Sequence, residues 1–256
     1  MTDRNPLIDA ISRYWNDHIH DLAITTHPVG SPGFFRQLDD YRYDKLNYLP
    51  RLVDFSSYRG KSLLEVGCGA GIDLVRFAGA GAVVTGIDLS NTAIDLARRN
   101  IEQHGLPASL YVMDGEAMQF SENSFDVVYA HGVLQYTADA KKMAAEIHRV
   151  VKPGGEVIVM VYNRNSWLNL MRGVTRVPLE HEDAPVLNKY SIGELKQLLS
   201  AFRHYRIIPE RFPVKTKLHS GWKARLFNDV FVGTFNMMPR SWVRPLGWHL
   251  MAFATK

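Results

Sequence analysis

The stretch Lys61-Ser-Leu-Leu-Glu65-Val-Gly67-Cys-Gly69-Ala-Gly71-Ile72 passes from a short apolar run into three alternating glycines and then into residues at helical spacing, Ile72, Val75 and Ala78. It reads as strand, tight bend and helix. Downstream the alternation repeats. Ala82 to Ile87 is a second strand closed by Asp88, and Ser90 caps a helix with the stripe Ile94, Ala97 and Ile101 that Gly105 ends. Ser109 to Met113 is a third strand, Phe125 to Ala130 a fourth, and Asp139 to Val151 a helix stopped by Lys152-Pro-Gly-Gly155. A fifth strand runs from Glu156 to Tyr162. Strands separated by helices need crossover connections, so the fold class is α/β with a mostly parallel sheet. Ligands of such sheets bind beyond the carboxyl ends of the strands, where strand order reverses.

Composition sets the frame around this core. The chain has 256 residues, 46% hydrophobic and 22% charged, enough to bury one sizeable core. No apolar run is long enough to span a bilayer, and the first ten residues are polar, so neither a membrane helix nor a secretory leader is expected; the reading is cytoplasmic. The single cysteine, Cys68, rules out an internal disulfide and a cysteine cluster, and the histidines show no His-Glu-x-x-His spacing, so no metal site is expected. Basic residues from Lys196 to Lys256 face only Glu210 and Asp229. A solvated face explains this best; nucleic acid is the lesser reading, and peripheral contact with an anionic membrane stays open.

The glycines Gly67, Gly69 and Gly71 fall at alternate positions, whereas dinucleotide sites place them first, third and sixth; here the sixth position is Ile72. No Gly-Lys-Ser or Gly-Lys-Thr follows, which excludes a P-loop. Asp88, ending the second strand, is placed to accept from both hydroxyls of a ribose, and Asp114, ending the third, from an adenine amine. With Glu65, these put one acid near the carboxyl end of each of three successive strands.

Glu65-Val-Gly-Cys-Gly-Ala-Gly71, Gly86-Ile-Asp-Leu-Ser90, Met113-Asp-Gly-Glu116, Phe125-Asp-Val-Val-Tyr-Ala-His-Gly-Val-Leu134 and Val151-Lys-Pro-Gly-Gly155 together resemble the ordered motifs of class I S-adenosylmethionine (SAM) dependent methyltransferases. The nearest resemblance is to the small-molecule group that includes ubiquinone and menaquinone biosynthesis enzymes. It covers about residues 61 to 161. The resemblance implies a Rossmann-like, doubly wound, seven-stranded sheet with an antiparallel seventh strand and helical lid insertions, SAM as cofactor and S-adenosylhomocysteine as product. Gly67, Gly69 and Gly71 would lie against the methionine and ribose, and Glu65 would support the loop or the ligand's amino group. Asp88 would hold the ribose hydroxyls and Leu89 the adenine face. Asp114 and Gly115 would read the adenine edge, and Ala130 and His131 would border the methyl. Many relatives carry histidines where this chain has Gln135 and Tyr136.

The resemblance places the sixth strand at His204 to Phe212, after a helix from Ile192 to Phe202, and the seventh at Gly247 to Thr255. The expected organisation is an N-terminal lid over residues 1–50, a SAM-binding core over 51–212 with an insertion at about 163–190, a lid insertion over 213–246 and a last core strand over 247–256. These flanks offer Tyr14, Trp15, His18, His20, Tyr41, Tyr43, Trp167, His181, Trp222, Phe231 and Trp242 as pocket lining. Methyl transfer from a sulfonium is an in-line displacement driven mainly by positioning, with a base needed only for an acidic nucleophile. His131 is the best-placed base, followed by Tyr14, His18, Tyr43 and Tyr136. The acceptor reads as a small apolar or anionic molecule. The competing readings are a nucleic-acid or protein methyltransferase, a nicotinamide-dependent oxidoreductase, and a binding module that keeps the fold without catalysis.

Overall fold

The computed structural model describes residues 5–18, 24–175, 181–213, 229 and 231–256. Its strands are β1 (Ser62–Val66), β2 (Val83–Asp88), β3 (Ser109–Val112), β4 (Phe125–His131), β5 (Val151–Tyr162), β6 (Arg203–Glu210) and β7 (His249–Thr255). They form one sheet in the order β3-β2-β1-β4-β5-β7-β6. β1 pairs in parallel with β2 and β4, and order reverses at β1, which is where the glycine bend begins. β7 lies antiparallel between β5 and β6, as the resemblance implies.

Helices α1 (Pro6–Asp17), α2 (Pro32–Lys45) and α3 (Leu49–Leu52) precede the sheet; α4 (Ile72–Gly79), α5 (Asn91–Gln103) and α6 (Ala140–Val150) are crossovers; α7 (Trp167–Thr175) and α8 (Ile192–Leu198) follow β5. The Ser90 cap read from the sequence forms, and Asp139, read as the first helical residue, is itself a cap. Ser90 Oγ accepts from Ala93 N at 3.1 Å, and Asp139 Oδ1 accepts from Lys141 N and Lys142 N. Leu63, Leu64 and Val66 of β1 are buried because helices cover both sheet faces. One face packs Leu74 and Phe77 of α4 with Tyr48 and Leu49; the other packs Met143 and Ile147 of α6 with Leu195 of α8.

Two boundaries differ from expectation by four residues or more. β5 begins at Val151, since Lys152-Pro-Gly-Gly155 is taken up as an irregularity between the pairs Phe125↔Val151 and Val127↔Glu156 rather than as a break before the strand. α8 ends at Leu198, four residues before Phe202, which packs into the core from the turn instead. Among the described residues no helix is long and apolar enough to cross a membrane.

Candidate active site

β1 delivers the chain to the strand-order reversal, and the bend after it is held by backbone bonds: Gly67 N and Cys68 N both donate to Ile87 O, at 2.7 and 3.0 Å. Gly67 and Gly69 have φ of 69° and 52°, in the left-handed region that L side chains avoid. Their surroundings differ. A Cβ at Gly67 would stand 2.3 Å from Val133 Cγ2, whereas one at Gly69 meets nothing within 4 Å and would project into open space lining a cavity.

That cavity runs along the carboxyl ends of β1, β2, β4 and β5. Asp88 Oδ2 accepts from Gly69 N and Oδ1 from Ser90 N, each at 2.9 Å, so this carboxylate ties the two loops together. A carboxylate offers about four lone-pair directions, which leaves acceptors for a ligand. Burial pushes the Asp88 carboxyl above its ordinary range, against the pull of those backbone bonds. Asp114 Oδ1 accepts from Glu116 N at 2.8 Å, and Glu116 Oε1 accepts from Asp139 N at 2.9 Å and from Thr137 Oγ1. Glu65 is different: it is buried, and its Oε2 has no hydrogen-bond partner. Burial raises its pKa well above the usual carboxylate range, Asp73 and Asp88 push the same way, and Arg42 opposes them.

The N-terminal helices wall this space. Ser12 Oγ of α1 donates to Leu89 O at 3.1 Å, and Asn16 Oδ1 accepts from Ser90 Oγ at 2.9 Å and from Thr92 N at 3.2 Å. α2 is anchored from below by Asp73, in the first turn of α4. Its carboxylate accepts from Arg42 Nε at 2.7 Å, Arg42 Nη2, Tyr43 OH at 2.8 Å and Tyr129 OH at 2.7 Å. Burial alone would raise the Asp73 pKa; the Arg42 charge and hydrogen bonds outweigh it and hold the group well below the carboxylate range.

Beyond the bend the cavity becomes cationic. Arg42 Nη2 also reaches His131 Nδ1 at 3.3 Å; Tyr48 OH lies 3.4 Å from His131 Nε2 and 2.5 Å from His249 Nδ1; and Arg211 Nη1 donates to His249 Nε2 at 3.0 Å. Arginine only donates, so Nε2 of His249 is unprotonated and a neutral His249 carries its proton on Nδ1, toward Tyr48. Burial lowers the His249 pKa well below its ordinary value, and Arg211, His131, Lys45 and Arg42 add to that. By the same reasoning neutral His131 accepts at Nδ1 and carries its proton on Nε2.

Of the residues expected from sequence, Glu65, Gly67, Gly69, Asp88, Leu89, Asp114, Gly115, His131, His18 and Tyr136 line this one cavity. Gly71 supports it from outside the lining, as the left-handed residue before α4. Four expectations are corrected. Ala130 is buried within β4 and does not reach the cavity surface. Tyr14 points away and donates to Asp183 at 2.8 Å, and Tyr43 is spent on Asp73. Of the aromatic flank, Trp15 lines the cavity and His181 backs it by packing on Trp15 and Tyr136, while Trp242 is exposed and Tyr41, Trp167 and Phe231 lie off the cavity. His20, Trp222 and residues 214–228 of the expected second lid lie outside the described residues. Sequence reasoning missed Arg42, Asp73, Tyr48, Arg211 and His249. One signal was available for His249: the first residue of an antiparallel strand sits level with the last residues of its parallel neighbours, here Tyr162 and Glu210.

Comparison with known proteins agrees with this geometry. Residues 64–159 match the family model described as a methyltransferase domain. The ubiquinone biosynthesis O-methyltransferase of Coxiella burnetii is 31% identical over 47% of this chain and 50% of its own length, so the chain spans about half the length of the curated relatives it matches. Among solved structures, the YcgJ protein of Bacillus subtilis aligns over 82% of this chain and 98% of its own at 17% identity with a TM-score of 0.60. A SAM-dependent methyltransferase from Aquifex aeolicus aligns over 88% and 97% at 17% identity with a TM-score of 0.55. At such identity these two speak for the fold. The family match lies over β1 to β5, and the strand order reverses at its glycine bend, so residues 64–159 are similar to a methyltransferase domain set in the fold those solved structures share.

Proposed function

We propose that this protein transfers the methyl group of SAM to a nucleophile of a small molecule. The observation that carries the reading is Glu65: a buried carboxylate oxygen without a partner, lining the same cavity as Asp88 and the open face of Gly69. Such an oxygen is costly unless a donor reaches it, and the ammonium of a methionine moiety is a donor of the right charge. Asp88 has lone pairs left for ribose hydroxyls, and Leu89, Asp114 and Gly115 border the space where an adenine would lie. When bound, SAM supplies an electrophilic methyl on a sulfonium. The protein's own part is to hold the acceptor in line and keep water out. α1 closes the adenosyl side through Ser12 and Asn16, and Trp15, Tyr136 and His131 form walls on the acceptor side. With Nδ1 engaged by Arg42, His131 serves as a wall and orienting group, and an acceptor whose nucleophile is already ionised or is a lone pair needs no base. The relatives named for ubiquinone biosynthesis O-methylation support a small acceptor.

Isothermal titration tests this: S-adenosylhomocysteine and SAM should bind, and NAD should not; NAD binding in their place would overturn it. Glu65 adds a second readout. Its raised pKa falls when an ammonium arrives, so SAM binding should release a proton at pH values between its bound and free pKa. The binding enthalpy should then vary with the ionisation enthalpy of the buffer, and Glu65→Gln should remove that variation. A wild-type enthalpy independent of buffer across that pH range would count against a partner at Glu65.

A further inference from the structure

We propose that Arg211 makes the acceptor half of the cavity a carboxylate-binding subsite, so that the methyl acceptor is a small organic acid held at its carboxylate end. This rests on the methyltransferase reading above, and it goes further by naming the acceptor's anchoring group.

The acids Glu65, Asp73, Asp88, Asp114 and Glu116 and the cations Arg42, Lys45 and Arg211 line the cavity. Of these cations, Arg42 is spoken for by Asp73. Among the described residues the Arg211 guanidinium meets the imidazole of His249, which burial and the surrounding cations keep neutral, and no carboxylate. The neighbouring Glu210 forms an ion pair with Arg51, at 3.6 Å. A guanidinium carries five donors in a planar fork, and one bond to His249 leaves an edge of that fork for a ligand on the cavity wall.

Arg211 has φ of 59°, in the left-handed region that L side chains adopt uncommonly. Here Trp248 N at 3.3 Å and Trp167 Nε1 at 2.9 Å both donate to Arg211 O and hold the turn after β6 in place. The flanking surfaces are flat rings: Tyr162 stacks on His249 with centroids 5.6 Å apart and planes 19° apart, and Trp248 lies behind Tyr162. The planar Arg211 fork can grip a carboxylate through two parallel bonds.

The test uses the full chain with S-adenosylhomocysteine bound, titrated with a panel of hydroxybenzoic acids and with the amides of the same acids, which keep shape and lose charge. The acids should bind roughly 10- to 100-fold tighter than their amides. Arg211→Gln should erase that preference while leaving S-adenosylhomocysteine affinity and the melting temperature unchanged, and Arg211→Lys should restore part of it. Equal binding of acids and amides to the wild type, no binding of either, or a preference that survives Arg211→Gln would overturn the proposal. Tighter binding of the phosphate monoesters of the same phenols would overturn the carboxylate assignment. Failure of S-adenosylhomocysteine itself to bind would instead overturn the underlying methyltransferase reading, and the two failures are distinguished in the first titration.

Discussion

Asp73→Ala should cost the fold about 3–5 kcal/mol, the range seen when one partner of a buried ion pair is removed and the other charge is left uncompensated. The reason is local to the structure. Asp73 is 1% exposed and takes four hydrogen bonds, and the half-buried Arg42 would lose the carboxylate that accepts two of them. Urea denaturation measures this directly, and a loss under about 1 kcal/mol would mean the network contributes little beyond packing. The pH dependence has a definite sign. Asp73 is depressed in the folded state relative to an unfolded value of about 3.9, so its contribution is fully present above that pH and is lost as pH falls below it. Asp73→Asn should therefore be destabilised at neutral pH, with the gap to wild type narrowing in acid. Because Arg42 connects Asp73 to His131, the variant should also loosen the cavity wall.

Asp88→Ala should abolish cofactor binding at usable concentrations while sparing the core. Each hydrogen bond to a charged group contributes about 1.5–3 kcal/mol, so losing the two ribose contacts proposed for Asp88 corresponds to roughly 10²- to 10⁴-fold in affinity. The variant also frees Gly69 N and Ser90 N, which Asp88 now ties together, so the bend itself should relax. Calorimetry with S-adenosylhomocysteine reads the first effect and hydrogen exchange at Gly69 and Ser90 the second. Wild-type affinity in Asp88→Ala would remove this aspartate from the binding site.

The central sheet and the glycine-bend side of the cavity were legible in the sequence because their signals are local. Ser62 to Val66 is an apolar run, its glycines follow at once, and Asp88 and Asp114 close strands that hydrophobic pattern alone marks out. The cationic side was not, for the opposite reason. Arg42 and Asp73 are 31 residues apart, Tyr48 and His249 are 201 apart, and Arg211 and His249 are 38 apart. No spacing rule joins such pairs; they meet because β6 and β7 end and begin at one sheet edge while α2 packs across α4. Aromatic content misled for a related reason. Tyr14 and Tyr43 look like bases in a list of residues, but each has an acid within reach that claims its hydroxyl.

The interior place of β7 has a consequence for the order in which the protein assembles. During synthesis the ribosome releases β5 and β6 well before residues 249–255, yet those two strands have no bond to each other and join only through β7. Until that segment emerges, β5 presents a bare apolar flank, Val157 to Val161, to the surroundings of the nascent chain. The second half of the cavity, with His249 as its floor, comes into being only at that final docking event.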